Sequence, residues 1–276
     1  MPDTAAGHRP FYDSAWPRPK RDAARAIWDW HLALCDPHYP ALDGNDLAAY
    51  FAAEREKAEA GEPLDIVPEN VRQRAYDACA EHDLPRELLV RQIDGAHRRV
   101  PPVRFEIAKA LRGFADRWVV PHARLLAHLG GATGSWQRKP VRELARGFFS
   151  TGRLAQLSAD LDANRLFIPQ ERLKQQGVSL QQLRDGHLDE SVRRLLWKQT
   201  VRARDYLAQG RSLADDLRGR LGRHFKRWWL GALEVLSEIE RREFDVWSEP
   251  VRLSRWHRLQ VRFQALLGKM TFRQQR

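Results

Sequence analysis

The spacing of apolar residues constrains this chain more than any other feature. From 221 onward, Leu221, Phe225, Trp228, Ala232, Val235, Leu236 and Ile239 recur three and four residues apart, the repeat of one helix face. Leu188, Val192, Leu195, Leu196, Ala203, Tyr206 and Leu207 do the same, as do Leu88, Leu89 and Ile93, then Leu111, Phe114, Trp118, Leu125 and Leu126. Strand-like alternation is nearly absent, so the predicted fold class is all-α. Breakers separate the runs: Asp43-Gly44, Pro63 to Pro68, Pro101-Pro102, Gly130-Gly131 with Gly134, and Gly177. Pro121 interrupts the 111–129 run and predicts a kink or an end there. There is no internal repeat. At ordinary helix lengths the chain makes a single domain of about eight to eleven helices. Residues 1–19, with four prolines, read as a loose N-terminal arm; 20–268 form the folded domain; 269–276 make a basic tail.

Composition narrows the class. Apolar residues are 43% and charged residues 30% of 276, a globular balance with enough material for a core. No apolar stretch reaches the roughly 18 residues of a membrane span. The first twenty residues carry Asp3, Arg9 and Asp13 where a secretory leader needs an apolar run. Two cysteines, Cys35 and Cys79, exclude a disulfide scaffold and a Cys-rich zinc module, and a reduced cytoplasmic setting is the default. The net charge of +11 favours anionic partners: nucleic acid, acidic lipid or phosphorylated ligands. Ten tryptophans suit a large apolar cavity, a membrane-facing edge or an ordinary core. Trp28, Trp30, Trp118, Trp228 and Trp229 read first as core, and the adjacent pair 228–229 cannot face one way.

Common catalytic signatures are missing. The ten histidines form no HExxH and no Cys/His ligand pairing, and His122 and His128 do not share a helix face. There is no phosphate loop and no dinucleotide fingerprint; Gly130–Gly134 lacks the lysine and reads as a connection. Paired carboxylates at i and i+4 on facing helices could hold Mg²⁺ against a diphosphate. Glu234 and Glu238 have that spacing but lie off the apolar stripe beside Arg241, so they read as solvated. Asp185 and Asp189 flank Gly186 and read as caps, and Asp160 and Asp162 cannot share a face. Arg252, Arg255, Arg258, Arg262 and Lys269 could form a basic stripe for nucleic acid, a reading disfavoured by the lack of any recognition motif.

One segment points further. Residues 154–169 read L-A-Q-L-S-A-D-L-D-A-N-R-L-F-I-P, followed by Gln170-Glu171-Arg172-Leu173 and Gly177-Val178-Ser179. This resembles, without a gap, the second aspartate-rich segment of the squalene/phytoene synthase family, L-R-D-x-x-E-D-x-x-x-G-R-x-Y-L-P-x-E-x-L. Asp83-Leu-Pro-Arg-Glu-Leu-Leu and Ile93-Asp94-Gly95 resemble the family's LPRELF and LIDG steps, and Arg104-Phe105 its R-Y step. Residues 111–131, Arg202-Ala-Arg with Gly210, and 232–253 resemble its later helices. The resemblance spans about 20–268. It implies an isoprenoid-synthase-type helical bundle with a central apolar cavity. Family enzymes join two prenyl diphosphates head to head, with Mg²⁺ on two D-x-x-x-D helices drawing off a leaving group of about −3 charge.

The acids for that chemistry are mostly replaced. By position, the second segment keeps Asp160 as a metal ligand but has Gln156 and Ala159 for its other two acids; the family glycine is Asn164 and its tyrosine Phe167. The first segment falls on Leu32, Cys35, Asp36, Pro37, His38 and Tyr39, so both ends of D-x-x-x-D are lost. A later family aspartate lands on Arg99, and the family Tyr-Cys pair on Phe114-Ala115. The resemblance thus implies a substrate-binding set of Arg165, Arg104, Arg99, Phe167 and Gln156, with no assigned catalytic residue. More arginine and less acid suit direct binding of an anionic head group. The leading expectation is a prenyl- or lipid-binding or assembly partner, without Mg²⁺-dependent catalysis and close to the inner membrane surface. The alternative is an active head-to-head prenyltransferase of squalene, hopanoid or carotenoid synthesis, using Mg²⁺, alone or completed by a paralogous subunit. Nucleic-acid binding is the third expectation.

Overall fold

The computed structural model describes residues 15–254 apart from 43 and 218, together with 257, 261 and 265. Among them there are twelve α-helices and no β-strand. In chain order they are α1 (Arg21–Cys35), α2 (Gly44–Ala60), α3 (Glu69–Glu81), α4 (Glu87–His97), α5 (Ala108–Leu129), α6 (Arg138–Ala155), α7 (Leu157–Asp162), α8 (Gln170–Gln176), α9 (Leu180–Arg184), α10 (Glu190–Gln209), α11 (Leu213–Asp216) and α12 (Gly219–Arg241).

The boundaries follow local chemistry. Pro37 disfavours helical geometry at Asp36, and α1 stops at Cys35. Prolines 68 and 169 stand just before α3 and α8, where a missing N–H costs nothing. Ser179 and Gln182 close a capping box on α9, and the Asp189 carboxylate accepts the Val192 N–H at the start of α10. Gly177 ends α8 at φ 66°, a left-handed cap that glycine adopts without strain.

The apolar faces meet in two clusters joined by α5. The first gathers α1 to α4 and α5 from Phe114 to Leu129 around Trp30, Ile93, Phe114 and Trp118; the second gathers Ala127 of α5 and α6 to α12 around Leu144, Leu195, Leu207 and Trp229. Each such side chain taken fully from water contributes about 1.5–3 kcal/mol. Two glycines set the helix spacing. A Cβ at Gly95 would lie 2.8 Å from the Trp118 Cα, and one at Gly147 2.9 Å from Leu207. Bare glycine therefore lets α4 close on α5 and α6 on α10.

Two segments bear on the expected boundaries. The α5 helix runs through Pro121, which is buried, because its packing on both clusters outweighs the lost hydrogen bond. Ala15 and Trp16, within the segment read as a loose arm, are fully buried. Residues 1–14 and the tail 269–276 lie outside the described residues, as do Arg255, Arg258, Arg262 and Lys269 of the basic stripe. Trp229 is buried and donates to the Leu207 carbonyl at 2.8 Å, whereas its neighbour Trp228 is half-buried. Glu234 and Glu238 both pair with Arg241 on the solvent side.

Candidate functional site

The centre of the bundle is aromatic. Phe105, Phe114, Phe149 and Phe167 stack with centroids 5.2–6.2 Å apart, filling the space between α5, α6 and the loop after α7. What remains open is a cavity of about 50 Å³. Phe149, Leu157, Phe167 and Ile168 give it an apolar wall, and five arginines surround it: Arg112 on α5, Arg146 and Arg153 on α6, Arg172 on α8 and Arg202 on α10. A shallower hollow of about 330 Å³ lies outside it and shares Arg172, Gln199 and Arg202.

The second aspartate-rich segment sits at this cavity in altered form. Helix α6 breaks at Gln156, where φ is −114°, and α7 restarts so that the Asp160 N–H donates to the Gln156 carbonyl. The Arg153 guanidinium lies between the two side chains. Its Nη1 donates to both Asp160 oxygens at 2.8 and 3.1 Å, and its Nη2 to the Gln156 Oε1 at 2.5 Å. Both Arg153 and Asp160 side chains are 7% exposed, and the guanidinium lies over the Phe167 ring at 5.4 Å. Asp160 is thus held by a fixed cation.

The first segment is dismantled. With α1 ended at Cys35, Asp36 points to solvent and Tyr39 packs on Phe51 at 5.9 Å. Arg99 is buried at the same corner; its Nη2 donates to the Cys35 carbonyl at 3.4 Å and its guanidinium stacks over Trp118 at 4.8 Å. Beside it His31 stacks on His122 at 4.3 Å and bonds Gln92 at 2.9 Å.

These residues do not fit a magnesium cluster. Hard Mg²⁺ requires several oxygen ligands in near-octahedral array. Of the three acid positions of the second segment only Asp160 is still a carboxylate, and it is already ion-paired. Among the described residues no group of three or more Asp, Glu, His or Cys side chains converges on a metal position.

The arginines differ in how they are balanced. Arg146 is bidentate to Asp116 at 2.8 Å and also reaches Glu143. Arg112, Arg172 and Arg202 have no carboxylate within ion-pair distance among the described residues. Arg172 donates instead to the buried Gln199 Oε1 at 2.6 Å. Burial, and then Arg202, push the Arg172 guanidinium down to about 10.

The expected binding residues divide by place. Gln156, Asp160 and Phe167 meet around Arg153 at the cavity. Arg104 and Arg165 lie on an adjoining ledge where Val103 and Arg165 form an isolated bridge; Arg104 donates to the Asn164 carbonyl at 2.9 Å and its Oδ1 at 2.6 Å. Arg99 belongs to the α1 corner. Sequence reasoning missed Arg112, Arg146, Arg153, Arg172 and Arg202. A signal existed on α10: Gln199, Arg202 and Tyr206 fall at i, i+3 and i+7 beside an apolar face.

The squalene/phytoene synthase family model matches residues 19–257. The 15-cis-phytoene synthase of Synechococcus elongatus is 26% identical, over 88% of this chain and 82% of its own. The phytoene synthase of Thermus thermophilus is 24% identical, over 92% and 86%. Among solved structures, squalene synthase HpnC from Alicyclobacillus acidocaldarius superposes with a TM-score of 0.74 at 21% identity, over 88% of this chain and 92% of that one. A dehydrosqualene synthase in complex with ligand gives 0.76 at 12% identity, over 96% and 92%. The helical architecture is therefore that of the isoprenoid synthases, and with the family match extending over most of its length, this chain belongs to the squalene/phytoene synthase family.

Proposed function

We propose that the chain binds a prenyl diphosphate, or a lipid with a similar anionic head, directly through guanidinium groups, and serves as a binding or assembly partner rather than as a Mg²⁺-dependent prenyltransferase. The observation carrying this reading is Arg153 fixed between Gln156 and Asp160. The guanidinium is a resident positive charge beside the one retained acid, so divalent ions would have to break a buried, bidentate pair to reach it. One or two guanidiniums can hold a diphosphate but neutralise its departing charge less than a cluster of divalent ions. Binding therefore outlasts chemistry.

Calorimetry with farnesyl diphosphate, in EDTA and in millimolar Mg²⁺, tests the reading. Equal affinity in both supports it. Incubation with labelled farnesyl or geranylgeranyl diphosphate and Mg²⁺ should leave substrate intact. Strongly Mg²⁺-dependent affinity, or formation of squalene, phytoene or free diphosphate, would instead establish an active transferase, and repeating the incubation with a paralogous subunit would show whether one completes it.

The reading extends to the membrane surface. No helix among the described residues is long and apolar enough to cross a bilayer. However, Trp136 is 63% exposed in the loop after α5, two residues from Arg138. Burial, then Arg138 and Arg91, lower the titration of Arg124, and burial, then Arg124 and Arg138, that of His128, with Glu87 acting the other way on both, so these groups lie near one another. An exposed indole beside a cluster of cations suits anionic headgroups.

A further inference from the structure

The five arginines at the cavity are not equivalent. Arg146 and Arg153 are neutralised by Asp116, Glu143 and Asp160. Arg112, Arg172 and Arg202 come from three different helices, and all three border the cavity. Acid is available nearby but is used elsewhere: Glu171 Oε1 accepts the Ala108 N–H at 2.7 Å, capping α5, and Asp205 borders only the outer hollow. Three like charges that border one cavity without an ion-paired acid repel one another, and Glu171 offsets this only in part at Arg172. Gln199, 7% exposed, orients one of them.

We propose that Arg112, Arg172 and Arg202 form an anion site for a diphosphate or a monoester of one, separate from the Arg153–Asp160 pair of the aspartate-rich segment. Planar guanidiniums offer paired donors that match phosphate oxygens, and three of them suit a ligand with two phosphoryl groups. The cavity opens toward the outer hollow, with which it shares Arg172, Gln199 and Arg202, so the head group sits at that mouth. A chain attached to the head therefore runs through the outer hollow, along Leu195, Trp197 and Val201, where Trp197 is 49% exposed. The chain half of this proposal rests on the prenyl-ligand reading above; the head-group half does not.

The test is calorimetry on the full chain in EDTA, first with inorganic pyrophosphate and then with farnesyl diphosphate. Pyrophosphate should bind, and Arg172→Gln/Arg202→Gln should weaken it tenfold or more. Arg112→Gln, an exposed position that leaves the packing intact, should weaken it severalfold, while Arg55→Gln on α2, which borders neither the cavity nor the outer hollow, should leave it unchanged. Circular dichroism melting would show that each variant is folded. Unchanged pyrophosphate affinity in folded Arg172→Gln/Arg202→Gln, or no pyrophosphate binding by the native chain, overturns the site. Farnesyl diphosphate binding tighter than pyrophosphate, with that gain lost in Trp197→Ala, supports the outer path; a gain retained in Trp197→Ala overturns it. Arginine-dependent pyrophosphate binding with no gain from the farnesyl group would keep the anion site and refute the prenyl-ligand reading.

Discussion

At the scale of single residues, the decisive exchange is of acid for guanidinium. Asp160 is buried and has its charge balanced by Arg153. Removing one partner strands the other, so Arg153→Met should lower stability by about 3–5 kcal/mol in urea unfolding, and Arg153→Met/Asp160→Leu should recover much of it. The loss of Gln156 and Ala159 as acids could be read along the chain, position by position. Arg153 could not. It lies three residues before Gln156 on α6, and only the break at 156 turns its side chain back between the two. A second residue-scale prediction concerns His224. Burial, then Arg227, Arg220 and Arg223, hold its imidazole down at about 4. Between pH 6.5 and 4 the unfolded chain takes up this proton and the folded chain does not, so stability should fall as pH drops through that window and level off below it, by on the order of 2 kcal/mol. His224→Leu should flatten that limb of a pH series of chemical denaturation curves.

Among the elements, the apolar stripes located most helices, and the Gly and Pro breakers located most ends, because both act through local geometry. Close helix contacts were not visible in that way. Gly95 and Gly231 look alike in sequence, each inside a helical run. A Cβ at Gly95 meets the α5 backbone at 2.8 Å, and a Cβ at Gly231 meets nothing within 4 Å. Gly95→Ala should therefore cost about 1–3 kcal/mol through overpacking, while Gly231→Ala should gain about 0.5–1 kcal/mol from helix propensity; thermal unfolding of the two variants reads both signs. Pro121 makes the same point in reverse. Its local penalty predicts a kink or an end, and packing against two clusters keeps the chain helical through it.

For the whole molecule, the charge of +11 becomes informative once the fold distributes it. The face bearing Trp136, Arg124, His128 and Arg138 should bring the protein onto vesicles containing phosphatidylserine or cardiolipin in cosedimentation, with binding lost at 0.5 M salt and weakened severalfold by Trp136→Ala. Equal binding to neutral vesicles would refute the electrostatic part. The sequence alone determined the all-α class, the family likeness and the missing acids, because helix periodicity and motif spacing are properties of near neighbours along the chain. The tertiary structure alone decided which cation stands beside Asp160, how little space the phenylalanines leave, and which arginines converge without acid. Those facts depend on distances between residues remote in sequence, such as Arg112, Arg172 and Arg202, which only helix packing brings to one cavity.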